Sequence, residues 1–338
     1  MKAAMIIAPR KIEIIDLPQP ELGPADVLVK VKVLGLCGSD LNTYRGLNPL
    51  VRYPRIPGHE IAGEVVSVGS QVKGKVERGT VVSVSPYTAC GNCYPCTIGR
   101  PNTCRNNQTM GNQRHGAALE YITVPSENIL LPEIKDPDKI ALIEPLSVGL
   151  HGCNRAAVTG SDLVLVIGCG VIGLGVILAA SHRGATVIAA DISDNKLERA
   201  KSVGASMVIN PKDNDLKEKI PELTRGRWPS VVIEAVGLPQ TFTQAIDVVD
   251  FSGRVVYIGY CRAPVTYETK YFVAKELDIR GSRNALRSEM EEVAVIIDKV
   301  KLDPGLLITH RFTLGEIDKA FGLWDRHPEQ VCKIAIDA

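Results

Sequence analysis

The stretch from Asp162 to Asp191 constrains the fold of this chain more than any other. An apolar run from Leu163 to Ile167 leads into the turn Gly168-Cys169-Gly170-Val171-Ile172-Gly173, and a second apolar run ends at Asp191. A strand, a glycine turn, a helix and a second strand in this order form the βαβ unit that binds a dinucleotide. We therefore predict a dinucleotide site at this turn.

Each glycine of the turn has its own expected role. Gly168 permits the tight turn, Gly170 lets a pyrophosphate approach the backbone, and Gly173 lets the helix pack closely on the strand. The N–H groups at the helix N-terminus then face the phosphates. Asp191, about 20 residues on, can accept hydrogen bonds from both ribose hydroxyls and would repel a 2′-phosphate. The sequence therefore favours NAD over NADP.

Other classes of protein fit the sequence less well. The apolar segment 163–180 approaches the length of about 20 residues that a membrane span needs, but its glycines and the βαβ pattern favour a soluble domain. The formal net charge of +1 comes without a basic stripe, so nucleic acid is not an expected partner. Residues 1–10 lack the pattern of a signal peptide. We expect a cytoplasmic protein with no membrane or nucleic-acid partner.

The length of 338 residues predicts two domains, because single cores stop growing near about 250–300 residues. Residues 151 to about 280 alternate strand-like and helix-like segments, which predicts a parallel sheet. The N-terminal region instead favours antiparallel strands. The predicted strands cover 27–33, 163–167, 207–209, 231–235, 254–258 and 331–336, and the predicted helices cover 194–203, 241–249 and 289–300.

Two groups of residues have the chemistry of zinc ligands. Cys37 and His59 are strong zinc ligands, and Glu60 adds an oxygen beside them. Four of the nine cysteines cluster in the second group: Cys90, Cys93, Cys96 and Cys104. Four thiolates so close can surround Zn²⁺ completely, which is typical of a structural site. Disulfides and a DNA-binding zinc finger are the alternatives, but a reducing compartment argues against the first and the lack of a basic surface against the second.

Several motifs together resemble one family. The pattern Gly58-His59-Glu60-x-x-Gly63-x5-Gly69 resembles the zinc signature of the medium-chain dehydrogenase/reductase superfamily, and Cys37-Gly38-Ser39-Asp40 resembles its upstream ligand segment. The resemblance covers essentially the whole chain. It implies an α/β protein with a GroES-like β-rich catalytic domain, residues 1–150 and 286–338, and a doubly wound Rossmann NAD-binding domain, residues 151–285. It also implies an active site in the cleft between the two.

The resemblance implies two zinc ions per chain, one catalytic and one structural. Cys37, His59 and either Glu60 or Glu144 would hold the catalytic zinc. Glu144-Pro145 matches the sorbitol-dehydrogenase branch of the superfamily. The alcohol dehydrogenases of the superfamily have a cysteine at this position. Ser39 matches the hydroxyl that relays the alcohol proton, and Asn42 stands where relatives commonly have histidine.

The expected cofactor contacts extend beyond the glycine turn and Asp191. They are Val171, Ile172, Lys196, Val236, Ile258, Gly259, Ser282, Arg283 and Asn284.

The expected reaction is the reversible, NAD-linked oxidation of a secondary alcohol of a polyol, sugar or sugar acid to a ketone. Tyr44, Arg114 and His115 are the candidate substrate contacts, and Ala117-Ala118 is expected to leave a roomier pocket wall than the bulkier residues of relatives. The segment 281–285 resembles that of L-galactonate dehydrogenases, which favours an acid. A homotetramer or homodimer is implied. The alternatives are an L-threonine 3-dehydrogenase and a non-catalytic NAD-binding redox regulator.

Overall fold

The computed structural model describes all 338 residues. In chain order its strands are β1 (Lys2–Ala8), β2 (Lys11–Asp16), β3 (Asp26–Leu36), β4 (Glu60–Val68), β5 (Val81–Val84), β6 (Tyr121–Pro125), β7 (Ile129–Leu130), β8 (Leu163–Ile167), β9 (Thr186–Ala190), β10 (Met207–Ile209), β11 (Val231–Glu234), β12 (Arg254–Tyr257), β13 (Asp278–Gly281), β14 (Ile308–Thr313) and β15 (Lys333–Asp337).

The α-helices, again in chain order, are α1 (Gly38–Tyr44), α2 (Tyr94–Thr97), α3 (Pro137–Ala141), α4 (Ile143–Ala156), α5 (Val171–His182), α6 (Asp194–Ser202), α7 (Leu216–Thr224), α8 (Pro239–Val248), α9 (Lys270–Ala274), α10 (Arg287–Lys299) and α11 (Ile317–Arg326). Short 3₁₀ turns cover Pro101–Thr103, Ser126–Asn128, Pro304–Leu306 and Leu314–Glu316. No helix is both long enough and apolar enough to cross a membrane.

The chain divides into two compact units. Unit 1 comprises Met1–Glu144 and Leu286–Ala338, and unit 2 comprises Pro145–Ala285. From the sequence, the first domain was expected to cover residues 1–150 and 286–338, and the second residues 151–285. Unit 1 is rich in strands and unit 2 alternates strands and helices, as the predicted fold class requires.

Unit 1 is built on a seven-stranded sheet in the order β14-β15-β3-β4-β5-β7, with β6 also paired to β3. Strands β1 and β2 form a separate antiparallel pair. The long strand β3 is central because its apolar residues are buried along most of its length, and it pairs with β15 on one side and β4 on the other. This order brings residues near both ends of the chain onto neighbouring strands.

Unit 2 is a six-stranded parallel sheet in the order β10-β9-β8-β11-β12-β13. All five residues of β8 are buried, as expected for a central strand covered on both faces. The strand order reverses between β8 and β11. In a doubly wound sheet the ligand binds beyond the carboxyl ends of the strands at such a reversal.

Candidate metal and cofactor sites

Three potential metal ligands converge in unit 1. Cys37 directly precedes helix α1, His59 directly precedes strand β4, and Glu60 is the first residue of that strand. One ligand atom of each lies within 4.8 Å of those of the other two. His59 is 5% exposed and Glu60 is fully buried, so the group is closed to bulk water on most sides.

A buried carboxylate, Asp40, holds the two loops of this group together. Its Oδ2 accepts a hydrogen bond from the Cys37 N–H (3.0 Å), and its Oδ1 accepts one from the Gly58 N–H (2.9 Å). The first bond caps helix α1 and the second fixes the residue before His59. Asp40 stood in the Cys-Gly-Ser-Asp motif, but the sequence did not reveal this role because Gly58 is 18 positions away.

The donor set fits a zinc ion. The Nδ1 atom of His59 is buried without a hydrogen-bond partner. Burial alone would lower the pKa of His59, but the charges of Asp40 and Cys37 outweigh it, and the pKa lies well above its usual value. A buried group with excess negative potential and sulfur, nitrogen and oxygen donors matches the ligand preferences of Zn²⁺.

Glu60 is held by a lysine from the last strand. Lys333 Nζ donates to Glu60 Oε1 (2.5 Å), to Glu60 Oε2 (2.6 Å) and to the Leu36 carbonyl (3.0 Å), and Lys333 is only 2% exposed. Burial alone would lower the pKa of Lys333, but the charge of Glu60 outweighs it and raises this pKa. Gly35, paired with Glu60 across the sheet, leaves the space, because a Cβ there would lie 2.0 Å from Glu60 Oε2.

Glu144 has a different partner. It is 4% exposed and accepts a hydrogen bond at Oε1 from the hydroxyl of Tyr87. Burial raises the pKa of Glu144, and the charge of Glu60 adds to this. Glu144 therefore also belongs to the electrostatic surroundings of the group, while Glu60 is the carboxylate within 4.8 Å of Cys37 and His59. Tyr87 was not among the residues singled out from the sequence.

The remaining candidates on α1 differ in their surroundings. The Ser39 hydroxyl oxygen is buried without a partner, as a hydroxyl that awaits a ligand would be. The ring of Tyr44 stacks on Phe321 of α11 with centroids 5.0 Å apart. Contact between Tyr44 and substrate stays a prediction.

The loop before β6 corrects one expectation. Ala117 and Ala118 have no exposed surface and lie in the hydrophobic core of unit 1, where the Ala118 carbonyl accepts from the Ala4 N–H (2.8 Å). They do not form a pocket wall, so the inference of a roomier pocket from these two alanines was wrong. The small side chains are explained by close packing against the backbone of 57–58, to which both alanines donate hydrogen bonds (3.0 Å each).

The four clustered cysteines are free thiols gathered around one point. The sulfur pairs Cys93–Cys96, Cys93–Cys104 and Cys90–Cys104 are 3.5, 3.7 and 3.5 Å apart. A disulfide would require about 2.05 Å, whereas Zn–S bonds of about 2.3 Å at tetrahedral angles separate sulfurs by about 3.8 Å. The arrangement fits zinc and contradicts the disulfide alternative.

The glycine turn of unit 2 requires glycine at two positions and is open at the third, where the approach of a pyrophosphate stays a prediction. Gly168 has φ +97°, which favours glycine. A Cβ on Gly173 would lie 1.8 Å from the Gly168 carbonyl oxygen, so only glycine fits there. A Cβ on Gly170 would meet nothing within 4 Å, so this side of the turn is open. The turn leads into α5, which begins at Val171 and continues through Ile172.

Asp191 is fixed at the end of β9. Its Oδ2 accepts from the Cys169 N–H (2.8 Å) and its Oδ1 from the Ser193 N–H (3.0 Å). Other predicted cofactor contacts follow the ends of neighbouring strands: Val236 after β11, Ile258 and Gly259 after β12, and Ser282, Arg283 and Asn284 after β13. The Ser282 hydroxyl is buried without a partner, and Lys196 lies half-buried on α6.

Two family descriptions match the chain. Residues 23–135 match the alcohol dehydrogenase GroES-like domain, and residues 171–299 match the zinc-binding dehydrogenase domain. An uncharacterised zinc-type alcohol dehydrogenase-like protein of Haemophilus influenzae is 36% identical over 99% of this chain and 98% of its own length. The L-galactonate-5-dehydrogenase of Escherichia coli is 32% identical over 90% of this chain and 89% of its own.

A solved structure agrees over the whole length. The alcohol dehydrogenase RspB of Escherichia coli CFT073, in complex with NADH, superposes with a TM-score of 0.93 at 33% identity, covering 100% of this chain and 99% of that one. Further relatives are named as sorbitol dehydrogenases and L-threonine 3-dehydrogenases, so the substrate varies among them. The chain belongs to the zinc-type medium-chain alcohol and polyol dehydrogenases, a family of NAD(P)-linked oxidoreductases.

Proposed function

We propose that this enzyme uses NAD and zinc to oxidise a secondary alcohol of a polyol, sugar or sugar acid reversibly to a ketone. The observation that carries the proposal is the buried group of Cys37, His59 and Glu60, with the unpartnered hydroxyl of Ser39 on the adjoining helix. A binding protein without catalysis would not need this donor set. The non-catalytic regulator is therefore the weaker reading.

The residues that would hold the metals follow from the donor sets. Cys37 and His59 would hold a catalytic zinc with Glu60 or Glu144 as the third ligand, and Cys90, Cys93, Cys96 and Cys104 would hold a structural one. Zinc at the first position supplies Lewis-acid chemistry that favours ionisation of an alcohol near neutral pH. Lys333 balances the charge of Glu60, and Asp40 keeps the loops of Cys37 and His59 in register.

The chain's own groups would then handle the proton and the cofactor. Ser39 accepts the alcohol proton and passes it on, a contribution typically of about 10²- to 10⁴-fold for general acid–base catalysis. Asp191 binds the ribose hydroxyls, and the open face of Gly170 receives the pyrophosphate. NAD bound there would supply the hydride acceptor.

A substrate panel tests the reaction. The purified enzyme is supplied with alditols, aldonates and L-threonine, each with NAD and with NADP, while absorbance of the reduced cofactor is followed. We expect turnover of a polyhydroxylated substrate with NAD. Turnover of L-threonine alone would make the enzyme a threonine dehydrogenase, and the absence of any alcohol oxidation would refute the proposal.

The cofactor preference has its own variant. Asp191→Ala should weaken the binding of NAD and reduce the difference in affinity between NAD and NADP, because the carboxylate that selects the free ribose hydroxyls is gone. A parent enzyme that already prefers NADP would show that the carboxylate argument is wrong. One structural relative was solved with NADP bound, so the comparison is informative.

Metal content separates the two zinc sites. We expect elemental analysis to find two zinc ions per chain in the parent enzyme. Each of the variants Cys37→Ala and Cys93→Ala should retain one zinc ion per chain. Cys37→Ala should abolish turnover and leave the fold largely intact, whereas Cys93→Ala should chiefly lower the thermal midpoint. Equal loss of folding in both variants would contradict this division. The homodimer or homotetramer implied by the resemblance is checked by light scattering.

A further inference from the structure

Two arginines of unit 1 lack a counter-charge. The Nε of Arg55 and the Nη2 of Arg114 are buried without a hydrogen-bond partner. Arg114 donates one hydrogen bond, from Nε to the Gln108 carbonyl (2.9 Å), and neither arginine forms an ion pair. Burial lowers the pKa of both, although guanidinium groups stay charged near neutral pH. A partly buried cation without an anion is costly, so such groups usually have a ligand.

The sequence around them supplies no acid. Residues 41–59 and 78–119 contain no aspartate or glutamate. Asp40, the nearest acid in the sequence before the first segment, already accepts hydrogen bonds from the backbone at both oxygens. An anion that pairs with these arginines would therefore come from outside these segments.

Backbone hydrogen bonds bring together the two segments that carry the arginines. The Gly116 N–H donates to the Ile56 carbonyl (2.8 Å), and the Ala117 N–H donates to the Gly58 carbonyl (3.0 Å). Segment 55–58 and segment 115–118 therefore run together, with Arg55 at the start of one and Arg114 just before the other. The first segment continues directly into His59.

His115, next to Arg114 in the chain, adds a third hydrogen-bond donor. Its Nδ1 accepts a hydrogen bond from the Ile56 N–H (3.1 Å). Burial and the charge of Arg55 lower the pKa of His115, so the ring is neutral near pH 7. A neutral imidazole that accepts at Nδ1 carries its proton on Nε2. The exposed side of His115 is thus a hydrogen-bond donor in the field of Arg55.

Building on the proposed function, we infer that Arg55, Arg114 and His115 form a subsite for an anionic group, a carboxylate or a phosphate, that the substrate carries away from the alcohol to be oxidised. Arg55 is four residues from His59, which spans at most about 13 Å of extended chain. The Cα atom of Arg55 is therefore no farther than this from that of a proposed zinc ligand. Planar guanidinium groups suit both anions because they can donate two parallel hydrogen bonds.

Matched substrates test the subsite. We would assay three zinc-loaded variants: Arg55→Gln, Arg114→Gln and the control Arg52→Gln, which changes an exposed arginine on the same loop as Arg55. The substrates are six-carbon aldonates, the alditols of the same configuration and the phosphate esters of those alditols. Each of the first two variants should raise KM for the anionic substrate roughly ten- to hundredfold, as for a lost charge-assisted hydrogen bond, and KM for the neutral alditol less than threefold. Comparing KM for the phosphate ester with KM for the aldonate shows whether the subsite prefers a phosphate or a carboxylate.

A binding measurement keeps the two proposals apart. Inorganic phosphate and gluconate are titrated into the enzyme by calorimetry, and binding to the parent should be lost in the Arg55 and Arg114 variants but not in Arg52→Gln. Equal effects on alditol and aldonate, a raised KM for NAD, or no anion binding by the parent would each overturn the subsite. Anion binding that depends on the arginines without any alcohol oxidation would instead overturn the proposed function and leave the subsite standing.

Discussion

Lys333 is a buried, fully hydrogen-bonded lysine in the interior of unit 1. Its three hydrogen bonds saturate an ammonium group, two of them on the oxygens of Glu60. Removing one member of a buried ion pair leaves an uncompensated charge, whereas replacing both members by apolar groups is often close to neutral. The pair can therefore be dissected by stability measurements independent of catalysis.

We predict that Lys333→Met lowers the free energy of unfolding by about 3–5 kcal/mol, because Glu60 stays buried without a cation. The double variant Lys333→Met/Glu60→Leu should recover most of the loss. Urea unfolding of chelator-treated proteins measures both, so that metal binding does not contribute. A single variant as stable as the parent would show that Glu60 becomes protonated or solvated at little cost.

The glycines of the turn provide a second contrast between neighbouring positions. Gly173→Ala should cost about 1–3 kcal/mol, because its Cβ meets the backbone oxygen of Gly168. Gly170→Ala should change stability by less than about 0.5 kcal/mol, since its Cβ meets nothing, yet it should weaken NADH binding more than tenfold. Thermal unfolding and NADH fluorescence titrations report the two effects. Unchanged NADH affinity in Gly170→Ala would place the pyrophosphate elsewhere.

Among the elements, strand β8 is anchored at its start by a carboxylate. Asp162 accepts hydrogen bonds from the Thr159 N–H (2.8 Å) and the Ser230 hydroxyl (2.8 Å) and pairs with Arg254. Burial alone would raise the pKa of Asp162, but these hydrogen bonds and the arginine outweigh it, and the pKa lies below its ordinary value of 3.8. The anchor joins β8 to the starts of β11 and β12.

This lowered pKa predicts how the stability of unit 2 depends on pH. The contribution of Asp162 is complete above a pH of about 4 and is lost as the pH falls through the lower pKa of the folded state. Asp162→Asn should therefore lower the unfolding midpoint most at pH 7. The difference in midpoint between the variant and the parent should become smaller as the pH falls towards 2.5. Fluorescence of Trp228 in a Trp324→Phe background follows unit 2. A gap that stays constant with pH would exclude ionisation of Asp162 as its cause.

The elements that the sequence predicted well are those with local causes. Strand β8 lies at 163–167 as predicted, because a fully apolar run between turns has few other solutions. Helix α8 begins at Pro239, two residues before the prediction, since proline fits the first turn of a helix. The Glu60–Lys333 pair could not be predicted, because no local pattern reveals a partner 273 residues away. The roles of Ala117 and Ala118 were mispredicted for a similar reason, since their hydrogen-bond partners are residues 57–58 and Ala4, which are distant in sequence.

At the scale of the whole molecule, the two units differ in continuity. Unit 2 is one segment with its own hydrophobic core, whereas unit 1 needs β14, β15 and α11 from the C-terminal segment. A fragment of residues 145–285 should fold and bind NADH, whereas residues 1–144 should stay largely unfolded. Circular dichroism and NADH titration of the two fragments check this. A cooperatively folded 1–144 fragment would show that β3 does not need β15.

The same discontinuity sets an order of events during synthesis on the ribosome. Glu60 leaves the ribosome 273 residues before Lys333, which at 5–20 residues per second is an interval of about 14–55 s. All of unit 2 is translated within that interval and can fold, while residues 33–36 of β3 still lack the partner that β15 provides. Until β15 has been translated, residues 33–36 of β3 and the Glu60 carboxylate must stay exposed to water or be bound by a chaperone.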